Sequence, residues 1–408
     1  IVQLFGEGDE APDMNWVSQL EVNPKTGHAA TTVENIRIIV KNDPRFKGTF
    51  YWDEFMERPM VCGDLPWRKA DAKPRSWDDT DDAGLHNVLE KDYKIDSMPK
   101  TREGVDLALA DITRHPVREY LRSLIWDGEK RCETLFIDYL GAEDSRYTRT
   151  VTRKALIGAA ARILSPGCKH DHMLVLIGPQ GCRKSTTLKK LGKEWFSDSL
   201  YTMSGKDAYE QLQGFWIIEL SEMAATRKAE VEQIKQFVSK QEDNYRAAYA
   251  RRTQCHPRQC AFFGTTNDEE FLRDPTGARR FWPVVVTDAG KTLGDKLTAS
   301  IVDQIWAEAV TYYEAGETWY LDGAVEEMAR KVQADHTEAN GKLGLIENFL
   351  EVLLPEGWDD WDLEKRLMFW SSGFGEERNG TVPRTKVCAL EVLSLIHISE
   401  PTRHAQIS

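Results

Sequence analysis

The stretch that decides the fold reads Met173-Leu174-Val175-Leu176-Ile177-Gly178-Pro179-Gln180-Gly181-Cys182-Arg183-Lys184-Ser185-Thr186. Its first five residues are apolar, which is typical of a strand that is buried on both faces of a sheet. A loop with two glycines follows, and a helical pattern then runs from Ser185 to Leu191 and ends at Gly192. The sequence therefore predicts a strand, a loop and a helix in succession.

The loop matches the phosphate-binding pattern G-x-x-x-x-G-K-[ST] except at Arg183, which stands where the pattern has its second glycine. In such loops the backbone N–H groups and the helix N-terminus hold phosphate, the lysine contacts the terminal phosphates, and the hydroxyl binds Mg²⁺. We therefore predict that residues 178–186 bind ATP, with Lys184 catalytic and Ser185 a ligand of Mg²⁺. The alternative is a glycine turn in the core, with Lys184 merely solvated.

The composition excludes some functional classes. The 408-residue chain has 53 Lys and Arg against 66 Asp and Glu, a net charge of −13. Nucleic-acid binding through bulk charge is therefore not supported, and such a site requires a local basic patch. The seven cysteines are scattered without a Cys-x-x-Cys pair, which favours a reducing cytosol and no disulfides. No apolar run reaches the roughly 18 to 20 residues that span a membrane, so we expect a cytoplasmic protein.

Two further strands are predicted to complete the site. Residues 215–222 form an apolar run that ends in carboxylates, as expected of a buried parallel strand whose carboxyl end lies beside the loop. We assign Glu219 to Mg²⁺ and Glu222 to the attacking water, although the spacing leaves the two roles interchangeable; the alternative is two acids that simply begin a loop. Residues 260–267 predict a third strand, and the amide of Asn267 at its end can orient the water.

A local basic patch follows the second strand. Residues 244–267 contain four arginines and no acid. Arginines interleaved with Tyr245 and Tyr249 suit phosphate contacts and base stacking on single-stranded DNA. The predicted DNA contacts are Arg246, Arg251, Arg252 and Arg258. A solvated hairpin or a subunit interface is the alternative.

Two adjacent arginines, Arg279 and Arg280, precede another apolar strand. Arginines in this position are candidates for catalytic arginine fingers, which neutralise charge on the transferred phosphoryl group. We predict that at least one of them projects beyond its own domain toward a neighbouring subunit. The alternative is a salt bridge to Asp274.

Two other polar clusters could bind a metal. Asp79, Asp81 and Asp82 form the first cluster, but acids at this position more often cap a helix. The second cluster, Cys168, His170 and His172, lacks a fourth ligand. We favour structural roles for both.

The remaining sequence suggests the following organisation. Residues 1–30 are interpreted as a linker, 31–165 as a mixed and then helical region, 166–290 as the ATPase core, and 291–392 as a helical C-terminal region. We expect a truncated helix from Thr381 to Val392 at the end of that region. Residues 393–403 resemble the translation of a transposase adapter used in preparing DNA for sequencing, so we treat residues 393–408 as non-native; the alternative is a real amphipathic tail. The start at Ile1 suggests that an upstream part is missing.

In this order and spacing, the loop, the Glu-x-x-Glu strand, the basic hairpin, Gly264-Thr265-Thr266-Asn267 and residues 277–283 resemble the virulence-associated protein E family of phage and mobile-element ATPases. The resemblance covers about residues 30 to 392, and residues 205–214 and 257–260 strengthen it. The family is related to superfamily III helicases, AAA+-like rings that act in replication. The resemblance implies an α/β fold with a P-loop NTPase core, a mostly parallel sheet and flanking helical N- and C-terminal regions.

The resemblance also implies a function. By analogy, the loop, Glu219, Glu222, Asn267 and one of the two adjacent arginines take the roles given above. The cofactors would be ATP and Mg²⁺, and the partners single-stranded DNA and further copies of the chain in a ring. The implied protein is an ATP-hydrolysing DNA motor, a helicase or primase-helicase fragment. The alternatives are a nucleotide-gated DNA-binding or loader protein that does not unwind DNA, and a phosphotransferase.

Overall fold

The computed structural model describes residues 15–221, 228–245, 253–268, 271, 278–336, 352–362, 365–366, 369, 380–384 and 386–387. These residues form two sheets, a hairpin and the helices around them.

The N-terminal part contains a small sheet of four strands in the order β3-β2-β1-β4. Its strands are β1 (Phe50–Asp53), β2 (Arg58–Val61), β3 (Arg75–Ser76) and β4 (Thr113–Arg114). Helices α1 (Val33–Asn42), α2 (Asp79–Val88) and α3 (Met98–Asp111) accompany it. Apolar side chains of all three helices and of β1 and β2 share one core, with Ile36, Phe50 and Leu85 almost fully buried.

The prediction of a linker over residues 1–30 is wrong for its described part. Residues Asn15–Gln19 form a 3₁₀-helix, and Trp16 and Leu20 are buried in the N-terminal core. A bridge between Val22 and Ala29 completes this segment. The two apolar side chains have enough buried surface to fix a stretch whose composition alone indicates a loop.

Asp78, just before α2, and Asp81, in its first turn, form a capping box for this helix. The Asp78 side chain accepts from the N–H groups of Thr80 and Asp81, and the Asp81 carboxylate accepts in return from the N–H of Asp78. Burial opposes ionisation of Asp81, but hydrogen bonds from Arg75 and Trp67 hold its pKa at about 2. Within the part of the chain that the structure describes, no group of three or more His, Cys, Asp or Glu could hold a metal.

A helical layer leads to the central sheet. It consists of α4 (Pro116–Ser123), α5 (Leu135–Leu140) and α6 (Arg146–Leu164), and Ser145 caps α6. The central sheet then contains five parallel strands in the order β11-β5-β10-β7-β6. They are β5 (Met173–Ile177), β6 (Phe196–Ser197), β7 (Ile217–Leu220), β10 (Ala261–Thr266) and β11 (Phe281–Val285), with the antiparallel hairpin β8 (Glu242–Tyr245) and β9 (Gln254–Pro257) inserted before β10.

Helices cover both faces of the central sheet, which explains why β5 is apolar at every position. Leu174 and Leu176 face the core that contains α4, α5, α6 and α11 (Ala299–Glu314). Met173, Val175 and Ile177 face the opposite core, which contains α8 (Gly205–Glu210) and α9 (Lys228–Val238). Further α-helices are α7 (Lys184–Gly192), α10 (Gly290–Leu293) and α12 (Gly323–Asp335). The protein is thus an α/β protein with a parallel sheet between helical layers.

The N-terminal sheet is fastened to the central part through the turn between β1 and β2. Glu57, with φ of 52°, contacts Nδ1 of His256 at 2.7 Å and accepts a hydrogen bond of 3.0 Å from Nε2 of Gln213. Phe55 of the same turn is buried in the core of the central part. His115 Nε2 lies 2.6 Å from Oε1 of Gln259, just before β10.

At the C-terminal end, helix α11 lies in the region that the sequence predicts to be helical. The prediction of a helix that begins at Thr381 is wrong for the described residues, because Val382 pairs with Leu354 in a short antiparallel bridge. The other residues of this predicted helix lie outside the described residues. None of the described helices is both long and apolar enough to cross a membrane. The six described cysteines are free thiols.

Candidate functional site

The candidate site lies at the carboxyl ends of three neighbouring strands. The loop of residues 178–183 follows β5, Asn267 follows β10, and Glu219 lies near the end of β7. Because β10 lies between β5 and β7 and all three strands are parallel, their carboxyl ends meet at one edge of the sheet. The order of the strands therefore brings these predicted side chains together.

A cavity of about 480 Å³ opens at this edge. Such a volume is in the range of small-molecule and cofactor sites. It is lined by Gln180, Gly181, Cys182, Arg183, Lys184, Ser185, Thr186, Ser221, Thr265, Thr266, Asn267 and Lys291. None of these described lining residues is acidic, which suits an anionic ligand.

Lys184 is held at the floor of the cavity and is 8% exposed. Its Nζ donates to the carbonyl oxygens of Gly178 at 2.6 Å and Pro179 at 3.0 Å, and to Oδ1 of Asn267 at 2.9 Å. All three acceptors are uncharged, so the ammonium charge lacks a described carboxylate partner. An anion in the cavity would therefore gain a charge-assisted contact with Lys184.

Glu219 is 1% exposed and lies behind the loop. Its Oε1 accepts hydrogen bonds of 2.6 Å from both Ser185 Oγ and Thr265 Oγ1. Its Oε2 is buried, and no described group bonds to it. A buried carboxylate oxygen without a partner is costly unless a cation binds nearby.

This arrangement fits Mg²⁺. A serine hydroxyl and a carboxylate with a free oxygen are the hard oxygen ligands that Mg²⁺ takes, and phosphate and water complete its octahedron in nucleotide sites. Ser185 and Glu219 are the two residues that would hold it. The residue expected to polarise water, Glu222, lies outside the described residues.

Arg183 adopts the conformation that the glycine of the pattern provides. Its φ is 71°, in the left-handed region, which costs a non-glycine residue about 1–2 kcal/mol. The side chain leaves the cavity, passes Gly294 and donates from Nη2 to Asp295 at 2.9 Å. The loop therefore keeps its turn despite the substitution, and helix α7 begins directly after it.

The segment after β11 forms a wall of the cavity. A side chain at Gly290 would place its Cβ 2.4 Å from the carbonyl oxygen of Cys182, so α10 packs directly on the loop. Lys291 follows and lines the cavity. Sequence reasoning missed Lys291 and the Glu219 partner Thr265. The parallel arrangement of β11 and β5 could have indicated Lys291, since residues just beyond β11 must lie beside the loop.

Arg279 and Arg280 do not reach the loop of their own chain. They precede β11, and Phe281 pairs with Met173 while Val285 pairs with Ile177. Four strand steps, about 13 Å, separate this edge of the sheet from the loop. Arg280 donates from Nε to Ser239 Oγ at 2.8 Å, whereas Arg279 is exposed beside His172. Burial lowers the pKa of His172, and the charge of Arg279 lowers it further.

The prediction that the basic hairpin contacts DNA requires a correction. Arg258 is 3% exposed, and its guanidinium donates to both carboxylate oxygens of Asp243, at 2.7 and 3.0 Å, and to the carbonyl of Phe237. Tyr245 is also buried: it stacks on His256, and burial raises the pKa of its hydroxyl. These two side chains hold the base of the hairpin and are not available to DNA. Arg246, Arg251, Arg252 and Tyr249 lie outside the described residues.

Comparison with protein families decides the affiliation. The model of the virulence-associated protein E-like domain matches residues 121–338, more than half of the chain. The chain belongs to this family. The matched region of this virulence-associated protein E-like chain contains the central sheet and the whole cavity, which confirms the resemblance noted from the sequence.

Solved structures add a distant likeness. The apo structure of the NrS-1 C-terminal region (305–718) gives a TM-score of 0.40 at 14% identity, over 72% of this chain and 73% of that one. The A form apo structure of the same region gives 0.42 at 12% identity, over 78% and 77%. Scores this low carry no weight for function. The curated proteins contain no match to the chain.

Proposed function

We propose that this virulence-associated protein E-like chain is a Mg²⁺-dependent phosphate-loop ATPase. The observation that carries the proposal is the convergence of Ser185 and Thr265 on Glu219, beneath a loop whose lysine contacts Asn267. A structural turn would not require a buried carboxylate with an unused oxygen at this place. Membership of the family supports the same activity.

In the proposed reaction, water attacks the terminal phosphorus of ATP in line with the leaving oxygen, and ADP and phosphate are released. Lys184 neutralises charge that develops on the transferred phosphoryl group. Ser185 and Glu219 would hold Mg²⁺, which would supply further charge neutralisation at the phosphates. Asn267 orients the water, and Glu222 accepts its proton.

We further propose that hydrolysis drives movement along single-stranded DNA in replication of a phage or mobile element. The chain would act as a helicase or primase-helicase within a homo-oligomeric ring. The arginine-rich segment between β8 and β9 supports the DNA contact, and the exposed position of Arg279 supports the ring.

Phosphate release from ATP, measured with and without single-stranded DNA, tests the ATPase. We expect Lys184→Ala to lower turnover by about 10²- to 10³-fold or more, because a charge on the transition state is lost. Lys189→Ala is the matched control, since this lysine is exposed on the same helix. Wild-type turnover in Lys184→Ala would refute the assignment of the loop. Hydrolysis without strand displacement from a forked duplex would instead favour a loader.

A further inference from the structure

Three described cations line the cavity, and they differ in what they contact. Lys184 bonds to neutral acceptors of the loop and to Asn267. Arg183 directs its guanidinium out of the cavity to Asp295. Lys291 lines the cavity from α10, which packs on the loop. The phosphate-loop pattern accounts for Lys184 but assigns nothing to Lys291.

The present partner of Lys291 is weakly bound. Its Nζ lies 3.0 Å from Oδ1 of Asp288, and the two side chains are 51% and 63% exposed. Exposed pairs of this kind contribute little, because water and salt screen the charges. A polyphosphate in the cavity carries several negative charges and would compete effectively with one exposed carboxylate.

The backbone that carries Lys291 is fixed relative to the loop. The N–H of Val286 donates to Ile177 at 2.7 Å, and that of Thr287 donates to Leu140 at 3.1 Å. Gly290 contacts Cys182 so closely that no larger residue fits. The lysine stem is flexible, so the ammonium can reorient while its anchor keeps its distance from the loop.

We propose that Lys291 is a nucleotide-binding residue that exchanges Asp288 for phosphate oxygens when a nucleoside triphosphate enters the cavity. This inference rests on the proposed ATPase function and adds to Lys184 a second lysine from a different element, α10. Both lysines would then contact the polyphosphate. It favours ligands in the order of their charge, ATP over ADP over AMP.

Titration calorimetry of the full chain with ATP, ADP and AMP tests the proposal. We expect Lys291→Ala to weaken ATP binding about tenfold, as for the loss of one charged hydrogen bond, and AMP binding much less. Lys291→Arg should retain most of the affinity, because it keeps the charge. Asp288→Asn should tighten ATP binding about twofold, because it removes the competing carboxylate.

Lys296→Ala is the matched control, since Lys296 is exposed five residues further on and does not line the cavity. Equal ATP affinity in Lys291→Ala and wild type, or equal losses in Lys291→Ala and Lys296→Ala, would overturn the inference. In those cases loss of binding in Lys184→Ala leaves the proposed function intact. A wild-type chain that binds no nucleotide would instead overturn the proposed function, and this inference with it.

Discussion

Polar residues make different kinds of contact at the two ends of the central sheet. At the carboxyl end, Lys184 and Asn267 line one cavity, and Glu219 lies behind its loop, bonded to Ser185. At the amino end, Arg258 is buried against Asp243, and Arg280 is tied to Ser239. In this sheet, polar residues at the carboxyl ends of the strands form one shared site, whereas Arg258 and Arg280, which precede strands, each bind a separate neighbour.

Arg279 is the exposed arginine of the amino end. The length of β11, about 13 Å, separates Arg279 from the loop of its own chain. A catalytic role of Arg279 would therefore require the loop of another subunit. Four experiments test this difference between the two ends of the sheet.

The largest expected effect concerns Arg279. Arg279→Ala should lower ATP turnover by about 10³- to 10⁵-fold if the side chain reaches a neighbour's phosphate. Mixing Arg279→Ala with Lys184→Ala should recover part of the activity, since some interfaces then combine an intact loop with an intact arginine. Arg280→Ala serves as the comparison. No recovery, in mixtures that sedimentation shows to be oligomeric, would contradict action between subunits.

The next effect concerns Arg258, which we expect to act in stability. Arg258→Ala leaves Asp243 buried without its partner, and should lower the free energy of unfolding by about 3–5 kcal/mol. Urea unfolding measures the change. The double variant with Asp243→Ala should lose less than the sum of the single variants. Normal stability in Arg258→Ala, together with weaker DNA binding, would restore Arg258 to the DNA contacts.

A smaller effect is expected for the arginines beyond β8. With Arg258 excluded, three arginines remain, and the slope of log K against log salt for single-stranded DNA should be about −2. Replacing Arg251 and Arg252 by alanine should flatten this slope by about 1.4. Fluorescence anisotropy at several salt concentrations measures it, with the exposed Lys25→Ala as control. A slope equal to that of wild type would remove this segment from the DNA path.

The smallest effect is expected at Arg183. Arg183→Gly relieves the left-handed backbone but loses the exposed pair with Asp295 and makes the unfolded chain more flexible, so stability should change by less than about 1 kcal/mol. Turnover should stay within about threefold, which is less than 1 kcal/mol in the barrier. Arg183→Val should be clearly less stable, because β-branched residues tolerate positive φ poorly. Equal unfolding midpoints for the two variants would contradict a requirement for the left-handed conformation.

Much of the cavity end could be predicted from sequence. Apolar runs followed by polar residues indicated β5, β7 and β10, and the parallel arrangement then brought Lys184, Asn267 and Glu219 to one edge. The spacing of a short motif is local information, which a single sequence contains. The fit of Arg183 into a glycine position was less accessible, because its compensation by Asp295 comes from more than a hundred residues further on.

The amino end and the N-terminal part were harder to predict. The charge of Arg258 indicated a surface residue, but its burial depends on Asp243 in the paired strand. Residues 15–30 had a loop-like composition, and only the core formed by distant helices fixes Trp16 and Leu20. Lys291 was missed because its place beside the cavity arises from the packing of Gly290 on Cys182.

The turn that carries Phe55 and Glu57 has a practical consequence for anyone dissecting this protein by truncation. The family match begins at residue 121, inside helix α4, whereas Phe55 and His115 are part of the structure that the matched region packs against. A fragment that begins at residue 121 would have a cavity in its apolar core where Phe55 packs. It would also lack the hydrogen-bonding partners of His256 and Gln259. The smallest independently folding unit therefore extends upstream of the recognisable motif, at least through β1.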